Sequence, residues 1–254
     1  MTARLLVHGV PDSPAVWQPL IQALGADAAI EAPALPGFHG PLPQGFKPNK
    51  DSYADWLVAE LERLHAAHGP VDVFGHDWGA LIVLRAASLR PDLVASWTIS
   101  NAMIDPEYTG HRVARAWATP LLGEAVMAIT RRAGLAESLA QNGLPEDIAK
   151  AEAAAWNPTM RRCILGLYRS AVGLRFSGDW VSRLAELPGN GLVIWGETDP
   201  YVPLKFGRAF AERWGARLHV EAGAGHWAIA ERPASIAAAL IAHWGGAAPG
   251  AEVS

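Results

Sequence analysis

The stretch Val71-Asp72-Val73-Phe74-Gly75-His76-Asp77-Trp78-Gly79-Ala80-Leu81-Ile82-Val83-Leu84-Arg85-Ala86-Ala87 changes its hydrophobic period midway. Val71–Phe74 reads as a strand and Gly79–Leu89 as a helix. Between them the pattern is small, any residue, acid, any residue, small, small. A strained strand-to-helix elbow has room only for small residues beside it. It pushes its central side chain, here Asp77, out at the C-terminal edge of the sheet. The helix N-terminus behind it offers N–H groups that favour an anion. The competing reading is that Asp77 merely caps that helix.

Outward from the elbow, short apolar runs alternate with helical patterns. Arg4–Val7, Ala28–Ala32, Val94–Ser100, Gly191–Trp195 and Arg217–Val220 read as strands. Ser13-Pro14 is a helix-start pair leading into Ala15–Leu24. Asp51–Ala67, Pro203–Trp214 and Pro233–Trp244 read as further helices, and the Pro- and Gly-rich Leu35–Asn49 as a loop. This alternation implies an α/β fold, a parallel sheet with helices on both faces. From about Asn101 to Pro188 only helical segments appear: Glu107–Trp117, Leu121–Arg132, Pro145–Ala155 and Pro158–Gly173. The expected organisation is a core of residues 1–100 and 189–244, a helical insertion at 101–188, and a mobile tail at 245–254.

Three more loops follow predicted strands. His8-Gly9-Val10-Pro11 follows the first, Gly196-Glu197-Thr198-Asp199-Pro200 the fifth, and Gly223-Ala224-Gly225-His226-Trp227 the sixth. Singly these are ordinary turns. Together, nucleophile, acid and histidine in that order after separate strands form a specific constellation. In this architecture the N–H groups of Val10 and Trp78 make the oxyanion hole. With these residues in place, the sequence resembles the α/β-hydrolase superfamily. In particular it resembles the branch with an aspartate nucleophile, which holds epoxide hydrolases, haloalkane dehalogenases and fluoroacetate dehalogenases. The resemblance spans about Leu5–Trp244, and the helical insertion corresponds to the family's cap. The hairpin that usually precedes the His-Gly strand is missing, leaving a sheet edge that a homodimer could cover.

The resemblance implies Asp77 as nucleophile, His226 as base and Asp199 as its orienting acid. Some relatives place the acid about 24 residues past the nucleophile, but Asn101 stands there, and Asp105 comes four residues late. A carboxylate is ionised at neutral pH and can displace a leaving group at saturated carbon, giving an alkyl ester that His226 then hydrolyses with water. An epoxide oxygen needs a proton donor. Tyr168, in Leu165-Gly166-Leu167-Tyr168-Arg169 and 31 residues before Asp199, resembles a cap tyrosine of epoxide hydrolases, with Tyr108 as the candidate partner. A halide needs only N–H donors, for which Trp78 with Trp117, Trp156 or Trp180 would serve. Trp78 and Leu81 stand where fluoroacetate dehalogenases carry arginines, which argues against a small carboxylate substrate. Epoxide hydrolysis is the leading expectation and haloalkane dehalogenation the alternative. A non-catalytic ligand receptor is the reading from another class.

Composition narrows the partners. The 254 residues carry 21 Lys+Arg and 25 Asp+Glu, a net charge of −4, with no basic block, so neither nucleic acid nor an anionic membrane is the expected partner. Half the residues are apolar and eleven are Trp, which suits a small apolar organic substrate with water as co-substrate. Cys163 is the single cysteine, so an intrachain disulfide or a multi-thiolate zinc site is out of reach. No metal or dinucleotide motif occurs, so no cofactor is expected. With no apolar run long enough to span a bilayer and no signal-like start, the chain reads as cytoplasmic.

Overall fold

The computed structural model describes residues 2–25 and 29–245. Six strands, β1 (Arg4–Val7), β2 (Ile30–Glu31), β3 (Val71–His76), β4 (Val94–Ser100), β5 (Gly191–Gly196) and β6 (Arg217–Glu221), form one sheet in the order β2-β1-β3-β4-β5-β6. Every pairing is parallel, with Leu5 beside Val73, Gly75 beside Ile99 and Ile99 beside Val193. Parallel strands with helices on both faces are buried on both, which is why they read as unbroken apolar runs. Leu5, Val7, Val73, Ile99 and Val193 enter one core with the helices α2 (Lys50–His68), α3 (Trp78–Leu89) and α10 (Leu204–Trp214). Leu6, Phe74 and Ile194 enter the other, with α1 (Gln18–Leu24), α11 (Ala228–Glu231) and α12 (Pro233–Trp244). Because the strands run one way and in register, the loops after β1, β3, β4, β5 and β6 all leave the same edge of the sheet.

Between β4 and β5 lie α4 (Arg112–Ala118), α5 (Leu122–Ile129), α6 (Arg132–Gln141), α7 (Glu146–Ala155), α8 (Pro158–Ser170) and α9 (Asp179–Ser182), followed by a short 3-10 turn. Several local expectations need correction. The helix read as starting at Glu107 begins at Arg112, because Asp105-Pro106 and the left-handed Gly110 (φ 77°) keep the chain irregular until His111 caps it. The helix read over Leu121–Arg132 ends at Ile129, and α6, whose apolar residues lack a clear helical stripe, follows at once. Ser13 caps a 3-10 turn, Pro14–Trp17, from which α1 continues. The second strand is only Ile30–Glu31; Ala28 lies outside the described residues, as does most of the tail read at 245–254. The sheet edge beyond β1 is thus this two-residue β2, and a short edge strand offers little template for pairing.

The helical segment is tied to the core through α7, whose Ile148 and Ala149 share a cluster with Val16, Trp17 and Trp227. Glu152 of α7 is fully buried there beside Asp12 and Ser13. Burial, reinforced by the Asp12 charge, pushes the Glu152 carboxyl up to about 9, so it is protonated near neutral pH. In the unfolded chain it ionises near 4.5, so the wild type loses stability as pH rises from that value toward 9. Glu152→Gln cannot ionise. The variant is expected to melt higher, with its advantage growing by about 1 kcal/mol per pH unit between pH 5 and 8. Thermal melts of both proteins across that range check it; parallel curves would refute it.

Candidate active site

Asp77 is the hinge of the elbow. Its φ of 50° and ψ of −125° lie outside the ordinary regions for an L-residue, and its side chain makes no capping bond to α3, so the helix-cap reading is set aside. The sharp turn works because its neighbours lack side chains. A Cβ on Gly79 would sit 2.0 Å from the Val7 carbonyl oxygen, and one on Gly75 2.4 Å from that of Gly79. The turn aims the carboxylate at the end of β1. There the Val10 N–H donates to Asp77 Oδ1 at 2.9 Å, while Oδ2 lies 3.7 Å from His226 Nε2.

His226 is held from behind. Its Nδ1–H donates to Asp199 Oδ2 at 2.9 Å. Asp199 is fully engaged: Oδ1 accepts from the Tyr201 and Val202 N–H groups at 2.7 and 3.0 Å, and Oδ2 also accepts from Asn101 Nδ2 at 2.8 Å. The Ser100 hydroxyl donates to Asn101 Oδ1 and fixes that amide. Burial works against charge on His226, but Asp199 first and Asp77 after it outweigh burial and raise the imidazole to about 10. Burial likewise works to raise both carboxyls, yet His226 holds Asp77 and Asp199 below the ordinary carboxylate range. The resting site is therefore an imidazolium between two carboxylates.

The loop after β1 has its own support. His8 is buried; its Nδ1–H donates to the Gly9 carbonyl and its Nε2 accepts the Leu35 N–H. Burial lowers its pKa to about 4, so it is a neutral strut. Asp12 accepts from Trp227 Nε1 at 3.1 Å, and burial with the Asp77 charge raises its carboxyl to about 7.

A cavity of about 550 Å³ opens over Asp77 and His226. Val10, Val126, Leu135 and Leu139 give it apolar walls, and Tyr168, Trp117, Tyr201 and His111 also face it. Burial holds the Tyr168 phenol well above its usual range, so it stays protonated. Its ring stands edge-on between Trp78 and Trp117, at 5.3 and 5.2 Å between centroids. The indole N–H of Trp117 is buried and, among the described residues, has no hydrogen-bond partner, while Trp78 interacts with the Tyr168 hydroxyl.

Of the residues expected to meet the substrate or leaving group, Tyr168 and Trp117 line this cavity; Trp78, Tyr108, Trp156 and Trp180 do not, and the Trp180 indole N–H is spent on the Asp51 carboxylate at 2.7 Å. The Tyr108 hydroxyl donates to the Tyr201 carbonyl at 2.8 Å, and its side chain borders a separate cavity between α4 and the loop after β5. Trp156 is buried at the C-terminal end of α7 with Arg161 packed over its ring. Neither is placed to meet a leaving group. Sequence reasoning missed Asn101, Tyr201 and His111. For Asn101 a signal existed, since it occupies the position of the alternative acid and touches the acid at 199.

Comparison with known proteins agrees with this architecture. Residues 5–239 match the model of the Alpha/beta hydrolase family. A lipase of Mycobacterium tuberculosis is 35% identical over 103 residues, 40% of this chain and 38% of that protein. A haloalkane dehalogenase of Mycolicibacterium paratuberculosis is 31% identical over 107 residues, 39% of this chain and 34% of that protein. The chain thus matches little more than a third of the length of these relatives. Among solved structures, a 2-hydroxy-6-oxo-6-phenylhexa-2,4-dienoate hydrolase of Rhodococcus superposes with a TM-score of 0.77 at 23% identity, covering 96% of this chain and 91% of that one. With the family model spanning nearly the whole chain over a parallel sheet and a strand-to-helix elbow, this protein belongs to the alpha/beta hydrolase family.

Proposed function

We propose that this protein is a hydrolase acting at saturated carbon through an alkyl ester on Asp77, and that it opens epoxides to diols. The observation that carries the reading is the divided carboxylate: Oδ1 held by the Val10 N–H, Oδ2 turned toward His226. Oδ2 attacks an epoxide carbon, the C–O bond breaks, and the electron pair goes to the ring oxygen. The Tyr168 hydroxyl protonates that oxygen, which suits a phenol kept neutral by burial. Esterification removes the Asp77 charge, one of the two that hold the proton on His226, so the imidazolium gives up its proton and the tyrosinate is reprotonated through solvent. Neutral His226, oriented by Asp199, then takes a proton from water as that water attacks the ester carbonyl. The charge develops on Oδ1, already on the Val10 N–H. Collapse breaks the Cγ–Oδ2 bond, the departing oxygen takes the second water proton and leaves as the diol, and Asp77 is again a carboxylate beside protonated His226. In this reading residues 101–188 are the cap that closes the cavity, and its apolar walls favour a neutral substrate.

Haloalkane dehalogenation has one observation of its own. The Trp117 N–H, in the cavity wall beside Tyr168 and without a hydrogen-bond partner among the described residues, suits a weakly basic anion. The likeness to a haloalkane dehalogenase supports it. Paired substrates of one carbon skeleton, an epoxide and a haloalkane, separate the two by diol formation against halide release. Tyr168→Phe is expected to slow epoxide opening about 10²–10⁴-fold, the usual contribution of a general acid. Halide release lost in Trp117→Phe but spared in Tyr168→Phe would favour the second reading. No turnover of either would favour a receptor.

A further inference from the structure

The Asp77 cavity holds a polar side chain that neither reading has used. His111 precedes α4 and stands between two cavities, lining the one over Asp77 together with Tyr168 and His226 and also the neighbouring one that Tyr108 borders. Its Nδ1 accepts the Ala114 N–H at 3.4 Å and so caps the helix. A nitrogen that accepts an N–H carries no proton, so the neutral ring bears its proton on Nε2. Burial, despite the pull of Asp77, lowers the imidazole to about 4 and keeps it neutral. The ring packs on Tyr201 at 4.9 Å, and Tyr201 packs on His226 at 5.0 Å, which fixes His111 relative to the catalytic group. Tyr108, the expected second donor, has its hydroxyl committed elsewhere.

We propose that His111 is a second catalytic donor of the ring-opening step, its Nε2–H hydrogen-bonding the epoxide oxygen while Tyr168 supplies the proton. This rests on the aspartyl-ester reading above and deepens it. The Oδ2–C bond forms, the C–O bond breaks, and Tyr168 gives its proton to the alkoxide; His111 keeps its own and stabilises the developing charge.

The test follows alkylation alone, as growth of the Asp77 adduct by intact mass in a His226→Gln background with an epoxide. His111→Asn retains a good helix cap but lacks the donor at the imidazole's reach; His111→Ala loses both. Both are expected to slow adduct growth about 10²-fold, the effect of removing one such donor, while thermal melts show that only His111→Ala loses stability. Partial recovery in His111→Gln, whose amide can donate, would support the assignment further. Adduct growth at the parental rate in His111→Asn overturns the proposal and leaves the ester reading standing, because His111 would then be only a cap. A His226→Gln parent that forms no adduct with epoxide or haloalkane overturns both.

Discussion

His226→Gln is expected to stop half-way. Asp77 is ionised without help from a base, so alkylation proceeds, but no group remains to activate water against the ester. With an epoxide, the intact mass should rise by the full mass of the substrate, and peptide mapping should put the increment on Asp77. Steady-state turnover should fall by about 10⁴-fold or more, the scale seen when an essential member of such a triad is lost. A companion experiment uses the wild type for a single turnover in ¹⁸O-water. Water attacks the ester carbonyl, so the label should enter Asp77, and the first diol should carry an unlabelled oxygen from that side chain. Label appearing directly in the diol, or full turnover by Asp77→Ala, would mean that water rather than the carboxylate attacks the substrate.

The second large effect comes from a residue with no functional group. A Cβ added at Gly9 would lie 2.4 Å from Asp77 Cβ, 2.5 Å from its Oδ1 and 2.8 Å from the His76 carbonyl oxygen. None of these atoms is the free end of a flexible chain. Asp77 sits on a strained turn locked between Gly75 and Gly79, so Gly9→Ala must displace either the carboxylate or the Val10 amide that holds it. The expected outcome is a loss of about 10³-fold in adduct formation, comparable to removing an oxyanion donor outright. Overpacking also costs about 1–3 kcal/mol, which lowers the melting temperature by roughly 2–4 °C per kcal/mol in a chain of this size. Gly40→Ala, where nothing lies within 4 Å, is the matched control and should behave as wild type. Normal activity in Gly9→Ala would mean that the close approach of the β1 loop to Asp77 is not needed.

The core was legible because its signals are local. Arg4–Val7, Val94–Ser100 and Pro233–Trp244 begin and end where apolar runs and breakers put them. The elbow was legible because a strained turn restricts its neighbours to glycine and alanine within a few residues. Asp77, Asp199 and His226 each lie in the loop that leaves a strand's C-terminal end, so an all-parallel sheet brings them to one edge whatever the helices do. The helical segment was harder to read. Its helices are short, α6 lacks an apolar stripe, and nothing local says which side faces the cavity. Tyr108 and His111 stand three residues apart, yet one borders the Asp77 cavity and the other does not.

The sequence alone therefore determined the order of strands and helices, the elbow and the chemical identity of its three central side chains, since these depend on residues adjacent along the chain. The tertiary structure decided the rest: that Asn101 bonds to Asp199, 98 residues away, that Tyr108 is spent on the Tyr201 carbonyl, 93 residues away, and that His226 is raised to about 10. Those outcomes follow from burial and from charges brought within a few ångströms by the folded chain, and neighbouring residues in a sequence carry no record of either.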